Sequence, residues 1–154
     1  MIRITRQTDY GIVLLTHMAA HLERRFNAPE LSSEAHLPLP MVSKILKLLT
    51  REGLLESHRG IKGGYSLARQ PEEISMAEIV TALEGPIAIT ECIDESSGCS
   101  HQPLCRVYSN WQRINEVLRA ALGSISLAEM THPSARLVTL GGRLAPALQE
   151  PQQN

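Results

Sequence analysis

The apolar residues in the first third of the chain recur at helical spacing. Residues 9–23 are predicted to form a helix that has Asp9 as its N-cap. The apolar face of this helix would consist of Ile12, Leu15, Ala19 and Leu22. A turn at residues 24–29 and a weaker helical pattern at 31–36 follow. The chain is therefore predicted to begin with a long helix and a short one.

The strongest helical pattern begins at Met41 and ends at Gly53, a residue type that stops helices. Pro38 and Pro40 stand ahead of this helix or in its first turn, where a residue without an N–H group is tolerated. The apolar stripe consists of Val42, Ile45, Leu46 and Leu49. The residues that face away from the stripe are Met41, Ser43, Lys44, Lys47 and Arg51. One face of the helix is thus predicted to be buried and the other to be polar and basic.

A hairpin is predicted directly after this helix. Residues 54–59 and 64–68 flank the sequence Gly60-Ile-Lys-Gly-Gly64, whose three glycines suit a tight turn. The turn carries Arg59 and Lys62 close to its tip. A helix, a short helix, a second strong helix and a two-stranded ribbon within 70 residues are the order of a winged helix-turn-helix.

In a winged helix-turn-helix, the second helix of the motif lies in the DNA major groove and the wing contacts the minor groove or the backbone. The predicted contacts with double-stranded DNA are therefore Pro40, Met41, Ser43, Lys44, Lys47, Arg59 and Lys62. An alternative is a winged helix that binds protein and carries ordinary surface lysines.

The second half of the chain is predicted to contain a connecting helix, a loop and a long helix. Ser75 and Glu78 form a capping-box pattern ahead of a short helix that ends at Gly85. Residues 86–105 lack periodicity and form a loop. A helix at 106–123 follows, and its apolar stripe consists of Val107, Trp111, Ile114, Leu118 and Ala121. This stripe needs a partner surface, and dimerisation is favoured over packing within the monomer.

The predicted fold class is mainly α: a winged helix-turn-helix DNA-binding domain, a cysteine-bearing loop and a long C-terminal dimerisation helix. The DNA-binding domain would occupy residues 1–70. Residues 71–130 would hold the connecting helix, a cluster-binding loop at 86–105 and the dimerisation helix at 106–123. Residues 131–154, which are rich in Pro, Gly and Gln, are predicted to be a mobile tail.

The charge of the chain is zoned along its length. The 154 residues sum to a formal charge of −1, but residues 1–70 carry +4, residues 71–105 carry −7 and the remainder carries +2. The basic charge thus coincides with the predicted DNA-binding unit. An aromatic content of 3% disfavours a single-strand nucleic-acid binder, which stacks bases on aromatic rings.

The chain contains no apolar run near the ~20 residues that span a bilayer, and its first residues lack the pattern of a secretory signal. A protein of the cytoplasm with no membrane contact is therefore expected. No nucleophile–base motif or phosphate-binding loop is present, so an enzyme is not expected.

Three cysteines lie within 14 residues of the predicted loop: Cys92, Cys99 and Cys105. Their C-x6-C-x5-C spacing lacks the close cysteine pair of most structural zinc sites. Soft thiolates gathered on one loop suit an iron-sulfur cluster, whose irons also accept a ligand other than cysteine. Two alternatives remain: zinc with His101 as the fourth ligand, in a zinc-stabilised interaction module, and a thiol redox switch without metal.

Several segments together resemble the IscR/NsrR family of winged-helix iron-sulfur regulators. They are residues 3–11, 37–46, 53–65, 82–86 and the three-cysteine loop. Residues 54–65 and 109–115 resemble most closely the branch that regulates the SUF iron-sulfur assembly system. The resemblance implies a homodimer that represses or activates transcription at a palindromic operator and senses iron-sulfur status or oxidative or nitrosative stress.

The resemblance also implies the residues of the sensing site. Cys92, Cys99 and Cys105 would hold a [2Fe-2S] or [4Fe-4S] cluster. The IscR branch has a histidine ligand where this chain has Tyr108, whereas the NsrR branch uses an N-terminal acid of the partner subunit, a position matched here by Asp9. His101 is a local alternative. By the same resemblance, Ser43 and Lys44 would meet base edges and Arg59 would enter the minor groove.

Overall fold

A computed structural model describes residues 3–60, 63–93, 99, 104–132, 139–140 and 143–144. Its α-helices are α1 (Arg6–Ala19), α2 (Ala28–Glu34), α3 (Leu39–Arg51), α4 (Met76–Glu84), α5 (Tyr108–Gly123) and α6 (Leu127–Thr131). Its strands are β1 (Leu55–His58), β2 (Gly64–Leu67), β3 (Thr139–Leu140) and β4 (Arg143–Leu144). A 3-10 turn at Pro71–Glu73 precedes α4. The prediction of a mainly α winged helix is confirmed.

Helix α1 begins earlier than the sequence pattern predicted. The Thr5 hydroxyl accepts a hydrogen bond from the Thr8 N–H at 3.3 Å, so Thr5 is the N-cap and the prediction of Asp9 as the cap was wrong. The helix ends at Ala19, and Leu22 lies beyond it, 50% exposed. The predicted apolar face was correct only in part: Leu15 is buried, and Ile12 and Ala19 are half-buried against the core. The fully buried side of α1 consists of Thr8, Gly11, Leu14, Leu15 and Met18.

Helices α2 and α3 form the helix-turn-helix. Asn27 and Glu30 form a capping box that starts α2 three residues before the predicted position. The turn between the helices contains His36 in the left-handed region at φ 53°. The predicted apolar stripe of α3 is confirmed, because each of its members has no exposed surface: Val42, Ile45, Leu46 and Leu49.

The predicted wing is confirmed as an antiparallel pair of β1 and β2, with Leu55 opposite Leu67 and His58 opposite Gly64. The segment before α2 adds a third, one-residue strand. The N–H of Phe26 donates to the carbonyl of Tyr65 at 3.0 Å, and the N–H of Tyr65 donates back at 2.8 Å. The sequence pattern indicated only a turn at this position. Phe26, which is fully buried, therefore attaches strand β2 of the wing to the helical core.

The segment after residue 70 shares the core of the winged helix. The capping box of Ser75 and Glu78 is confirmed at the start of α4. Helix α6 returns to this point, where Met76 N–H donates to the Ile125 carbonyl at 2.9 Å and Leu127 N–H donates to the Ile74 carbonyl at 2.7 Å. The buried core includes, from these elements, Ile74, Met76, Ile79, Leu83 and Leu127. The core is thus continuous across the predicted domain boundary.

Helix α5 lies outside this core. Over its 16 residues, Asn115 alone is buried. Strands β3 and β4 pair with Leu140 opposite Arg143, within the segment predicted to be a tail, and the rest of residues 133–154 lies outside the described part of the chain. Among the helices that the structure describes, none combines the length and the apolar character needed to cross a bilayer.

Candidate nucleic-acid interface and cysteine-bearing loop

The outward face of α3 presents the predicted DNA-binding residues. Pro38 occupies the N-cap position, and Pro40 lies in the first turn, which contains no acidic residue. Pro40, Lys44 and Lys47 are exposed, and Ser43 is half-buried. Met41 is half-buried against the core, so it does not face fully away from the apolar stripe as predicted. The helix N-terminus and the two ammonium groups make this face attractive to phosphate.

The cations of this face differ in whether a carboxylate neutralises them. Within residues 3–60 and the other described segments, Lys44, Lys47 and Arg59 form no ion pair. In contrast, Arg51 Nε lies 2.8 Å from Glu52 Oε1. Two lysines of α3 and the wing arginine therefore keep their full charge for a ligand, whereas Arg51 is already paired.

The wing tip is built to carry Arg59 outward. Gly63 N–H donates to the Gly60 carbonyl at 2.9 Å, and a Cβ at position 63 would overlap the backbone around His58. The His58 ring bonds across the hairpin to Ser66 Oγ, with Nε2 at 2.8 Å. Arg59 is exposed directly after this pair. The predicted contact Lys62 lies outside the described residues.

A polar brace that the sequence pattern did not reveal joins α1 to α2. His17 Nε2 lies 2.6 Å from Glu34 Oε2, and Arg24 Nη2 lies 3.0 Å from Glu34 Oε1. The hydrogen bonds from Arg24 and His17 hold the pKa of Glu34 below its ordinary value. The Arg24 guanidinium also lies 4.4 Å from the centre of the Phe26 ring. The brace sets the position of the first helix of the motif relative to α1.

All three cysteines are free thiols and half-buried. Cys92 Sγ lies 3.2 Å from Thr90 Oγ1, inside a turn closed by a 3.0 Å bond from Ile93 N–H to the Thr90 carbonyl. At the other end of the cysteine-bearing loop, defined as residues 86–105, the Cys105 carbonyl accepts the Tyr108 N–H at 3.3 Å. Cys105 is therefore attached to the first turn of α5.

The donor set fits an iron-sulfur cluster in its chemistry, because three reduced thiols share one loop and none is used in a disulfide. Among the described residues, no three His, Cys, Asp or Glu side chains are grouped for a metal ion. Residues 94–98 and 100–103, including the alternative ligand His101, lie outside the described part of the chain.

The predicted alternative ligand Asp9 is exposed in the first turn of α1. The start of this helix is fixed to the end of α4 by a residue that the sequence pattern did not single out for a role. Glu84 Oε1 accepts the Thr5 N–H at 2.8 Å. Burial raises the pKa of Glu84, but hydrogen bonds from Thr5 and Thr8 outweigh it and bring that pKa below its ordinary value. Asp9 is thus held at the end of the molecule from which the cysteine-bearing loop starts.

The predicted apolar stripe of α5 is largely uncovered in one copy of the chain. Val107, Trp111 and Ile114 are 49%, 38% and 50% exposed. Leu118 and Ala121 are half-buried. The helix therefore offers a continuous apolar face that starts at Val107, two residues after Cys105.

Residues 4–133 match the family model of Rrf2, described as an iron-dependent transcriptional regulator. The chain is 29% identical over 129 residues to the HTH-type transcriptional regulator IscR of Xenorhabdus nematophila, with 83% of this chain and 78% of the relative covered. It is 26% identical to Protein rrf2 of Nitratidesulfovibrio vulgaris, with 83% and 86% covered.

Two solved structures share the fold. CymR, the global cysteine regulator of B. subtilis, superimposes with a TM-score of 0.66 at 25% identity over 85% of this chain and 97% of its own. IscR of T. potens gives a TM-score of 0.62 at 26% identity, with 84% and 85% covered. The resemblance to IscR-like winged-helix regulators is confirmed, whereas the SUF branch stays a prediction. The chain belongs to the Rrf2 family of transcriptional regulators.

Proposed function

We propose that this transcriptional regulator binds a palindromic operator as a homodimer and that an iron-sulfur cluster on the cysteine-bearing loop controls its affinity for DNA. The observation that carries the proposal is the placement of Cys105 at the start of α5, beside the uncovered apolar stripe. A sensing site in that position adjoins the surface through which two copies would meet. A change at the thiols would then alter how the two copies meet, and with it the distance between their two recognition helices.

The DNA contacts follow from exposure and charge. Pro40, Ser43, Lys44 and Lys47 lie on the outer face of α3, and Met41 lies at its border with the core. Arg59 is exposed at the start of the wing turn, with Lys62 predicted beside it. Unpaired cations at these two elements release counterions on binding phosphate, which gives salt-dependent affinity. Ser43 and Lys44 lie in the part of the recognition helix that meets base edges in winged-helix proteins.

The homodimer follows from the uncovered stripe of α5. An amphipathic helix whose apolar face is open to water is stabilised when that face is buried. A second copy of the same helix supplies a matching surface, and two-fold symmetry matches a palindromic site. The stripe consists of Val107, Trp111, Ile114, Leu118 and Ala121.

Cys92, Cys99 and Cys105 would hold the cluster, with Asp9 of the partner subunit or His101 as the fourth ligand. When bound, such a cluster supplies a redox-sensitive and iron-dependent state, of either the [2Fe-2S] or the [4Fe-4S] type. A ligand other than cysteine leaves one iron easier to lose or to attack. The function proposed is that of a repressor, and the resemblance of residues 54–65 and 109–115 supports iron-sulfur assembly genes of the SUF type as its target.

Purification without oxygen tests the site. We expect visible absorption, with iron and acid-labile sulfide bound in comparable amounts. Cys92→Ala, Cys99→Ala and Cys105→Ala should each abolish it, and none of these three substitutions should unfold the winged helix. A colourless protein that contains zinc would favour the zinc-stabilised module, and a metal-free protein whose DNA affinity follows thiol oxidation would favour the thiol switch.

A further inference from the structure

The one buried residue of α5 is polar, and its side chain forms hydrogen bonds with the segment that leads to Cys92. Asn115 is 4% exposed. Its Nδ2 donates to the Ile87 carbonyl at 2.9 Å, and its Oδ1 accepts the Ile89 N–H at 3.2 Å. The side chain thus bonds a carbonyl and an N–H two residues apart, as a residue of a neighbouring parallel strand does.

Apolar packing alone does not fix this segment. Ile87, Ala88 and Ile89 are half-buried and line a cavity of about 490 Å³, which is also lined by Leu118 and Leu122 of α5. Side chains that border open space make fewer dispersion contacts than a packed core does. The two hydrogen bonds of Asn115 are therefore the specific attachment of residues 87–89 to α5.

The attached segment leads directly to a thiol. Residue 89 is followed by the turn in which Thr90 Oγ1 meets Cys92 Sγ at 3.2 Å. The other outer cysteine, Cys105, is joined to α5 through the bond from Tyr108. Both cysteines are thus attached to α5. Cys92 is attached through the hydrogen bonds of Asn115, and Cys105 through the short stretch of chain that leads into the helix.

We infer that Asn115 is a positioning residue that couples the thiols of the cysteine-bearing loop to α5. With Asn115 in place, the segment of residues 87–92, which carries Cys92, moves together with the proposed dimerisation helix. A change in the separation of Cys92 and Cys105 on cluster loss is then passed to α5 instead of being absorbed by a loose loop. This inference rests on the proposed function, and it adds the route by which the site reaches the dimer surface.

The anchoring role is tested in the full chain without metal. Asn115→Leu removes both hydrogen bonds at similar volume, and Asn110→Leu, on the exposed surface of the same helix, is the matched control. We expect Asn115→Leu to raise the rate of Cys92 alkylation by iodoacetamide roughly tenfold, and amide exchange at residues 87–89 to rise with it. The alkylation rate of Cys105 should not change. Equal Cys92 rates in Asn115→Leu and Asn110→Leu would overturn the assignment.

A second variant keeps the test decisive if Asn115→Leu does not fold. Asn115→Asp retains an acceptor for the Ile89 N–H and loses the donor to the Ile87 carbonyl. It should give a Cys92 alkylation rate between those of the wild type and a fully released loop. A wild-type rate in this variant would overturn the role of the Ile87 bond.

The coupling role needs a measurement that a merely structural residue would not change. The ratio of DNA affinities with and without the cluster should fall towards one in Asn115→Leu at unchanged iron content, and it should stay at the wild-type value in Asn110→Leu. If the ratio of DNA affinities in Asn115→Leu equals that of the wild type, the coupling role of Asn115 is contradicted. A wild-type ratio of one would instead refute the proposed function, while the alkylation rates, read without metal, would still decide the anchoring role.

Discussion

The carboxylate of Glu84 accepts a hydrogen bond from the backbone N–H of Thr5 at 2.8 Å, across 79 residues of sequence. Gln7 Nε2 adds a second bond to the neighbouring Leu83 carbonyl at 2.9 Å. These contacts attach the start of α1 to the end of α4. The residue that follows Glu84, Gly85, is in the left-handed region at φ 93° and directs the chain into the cysteine-bearing loop.

Glu84→Gln should lower the free energy of unfolding at pH 7 by about 0.5–1 kcal/mol, the range of an exposed helix cap or surface contact. The pKa of Glu84 is lower in the folded chain than its ordinary value. Its contribution is therefore complete above the ordinary pKa of about 4.3 and is lost as the pH falls through the folded-state pKa. Urea unfolding between pH 3 and pH 7, chosen as roughly the range that brackets carboxylate titration, should show the two proteins converging in acid.

The control for this prediction is Glu72→Gln. Glu72 is exposed, and its carboxylate has no partner within the described part of the chain. The free energy of unfolding of Glu72→Gln should depend on pH in the same way as that of the wild type. A constant difference between Glu84→Gln and the wild type across the acid range would contradict the account of Glu84.

Lys47→Ala and Arg59→Ala should each weaken binding to an operator duplex and reduce the slope of log K against log salt by about 0.9, the value for one phosphate contact. Arg51→Ala should have a smaller effect, because Glu52 already neutralises that guanidinium. Fluorescence anisotropy over a salt series measures both quantities. If Arg51→Ala and Lys47→Ala lost equal amounts of DNA affinity, the exposure of a cation and its lack of a carboxylate partner would not identify the phosphate contacts.

Ile114→Glu should abolish the proposed homodimer and leave a monomer, because it places a charge in the centre of the uncovered stripe of α5. Gln112→Glu adds the same charge on the same helix but away from the stripe, and it should leave the dimer intact. Sedimentation velocity at micromolar concentration separates the two results. A dimeric Ile114→Glu protein would place the interface elsewhere.

Leu127→Ala should destabilise the winged helix itself by about 2–5 kcal/mol, the usual cost of emptying a leucine site in a core. Leu127 is fully buried against residues of the first half of the chain, although it follows α5. Met130→Ala, at a 44% exposed position of the same helix, should cost much less. Denaturation followed at fixed protein concentration measures both values. Equal stabilities would refute a core shared across residue 70.

Helix α3 and the wing could be predicted from the sequence because their information is local. The stripe of α3 repeats at the helical period, and three glycines mark the turn of the wing. The start of helix α1 was predicted too late because Asp9 and Thr5 are both competent caps, and the tertiary bonds of Thr5 to Glu84 and of Gln7 to Leu83 favour the earlier start. Tertiary contacts overrode the local pattern there.

The contacts that arrange the site join residues far apart in the chain. The Phe26–Tyr65 bridge, the Glu34 brace and the bonds of Asn115 to residues 87 and 89 have no periodic signal. The one sequence feature that could have indicated the role of Asn115 is its position, as a polar residue at the edge of the apolar stripe of α5. The cysteines were found because their residue type and clustering are chemical information that needs no fold.

In the proposed mechanism, the state of the cysteine-bearing loop sets the affinity for DNA. This mechanism is tested most directly by measuring, on one anaerobic preparation, the dissociation constant for a palindromic operator duplex before and after chelation of the iron. We expect two different dissociation constants for the wild type and a single one for Cys92→Ala. Equal constants for the two states of the wild type, in a preparation shown to contain iron and sulfide, would contradict the proposed mechanism.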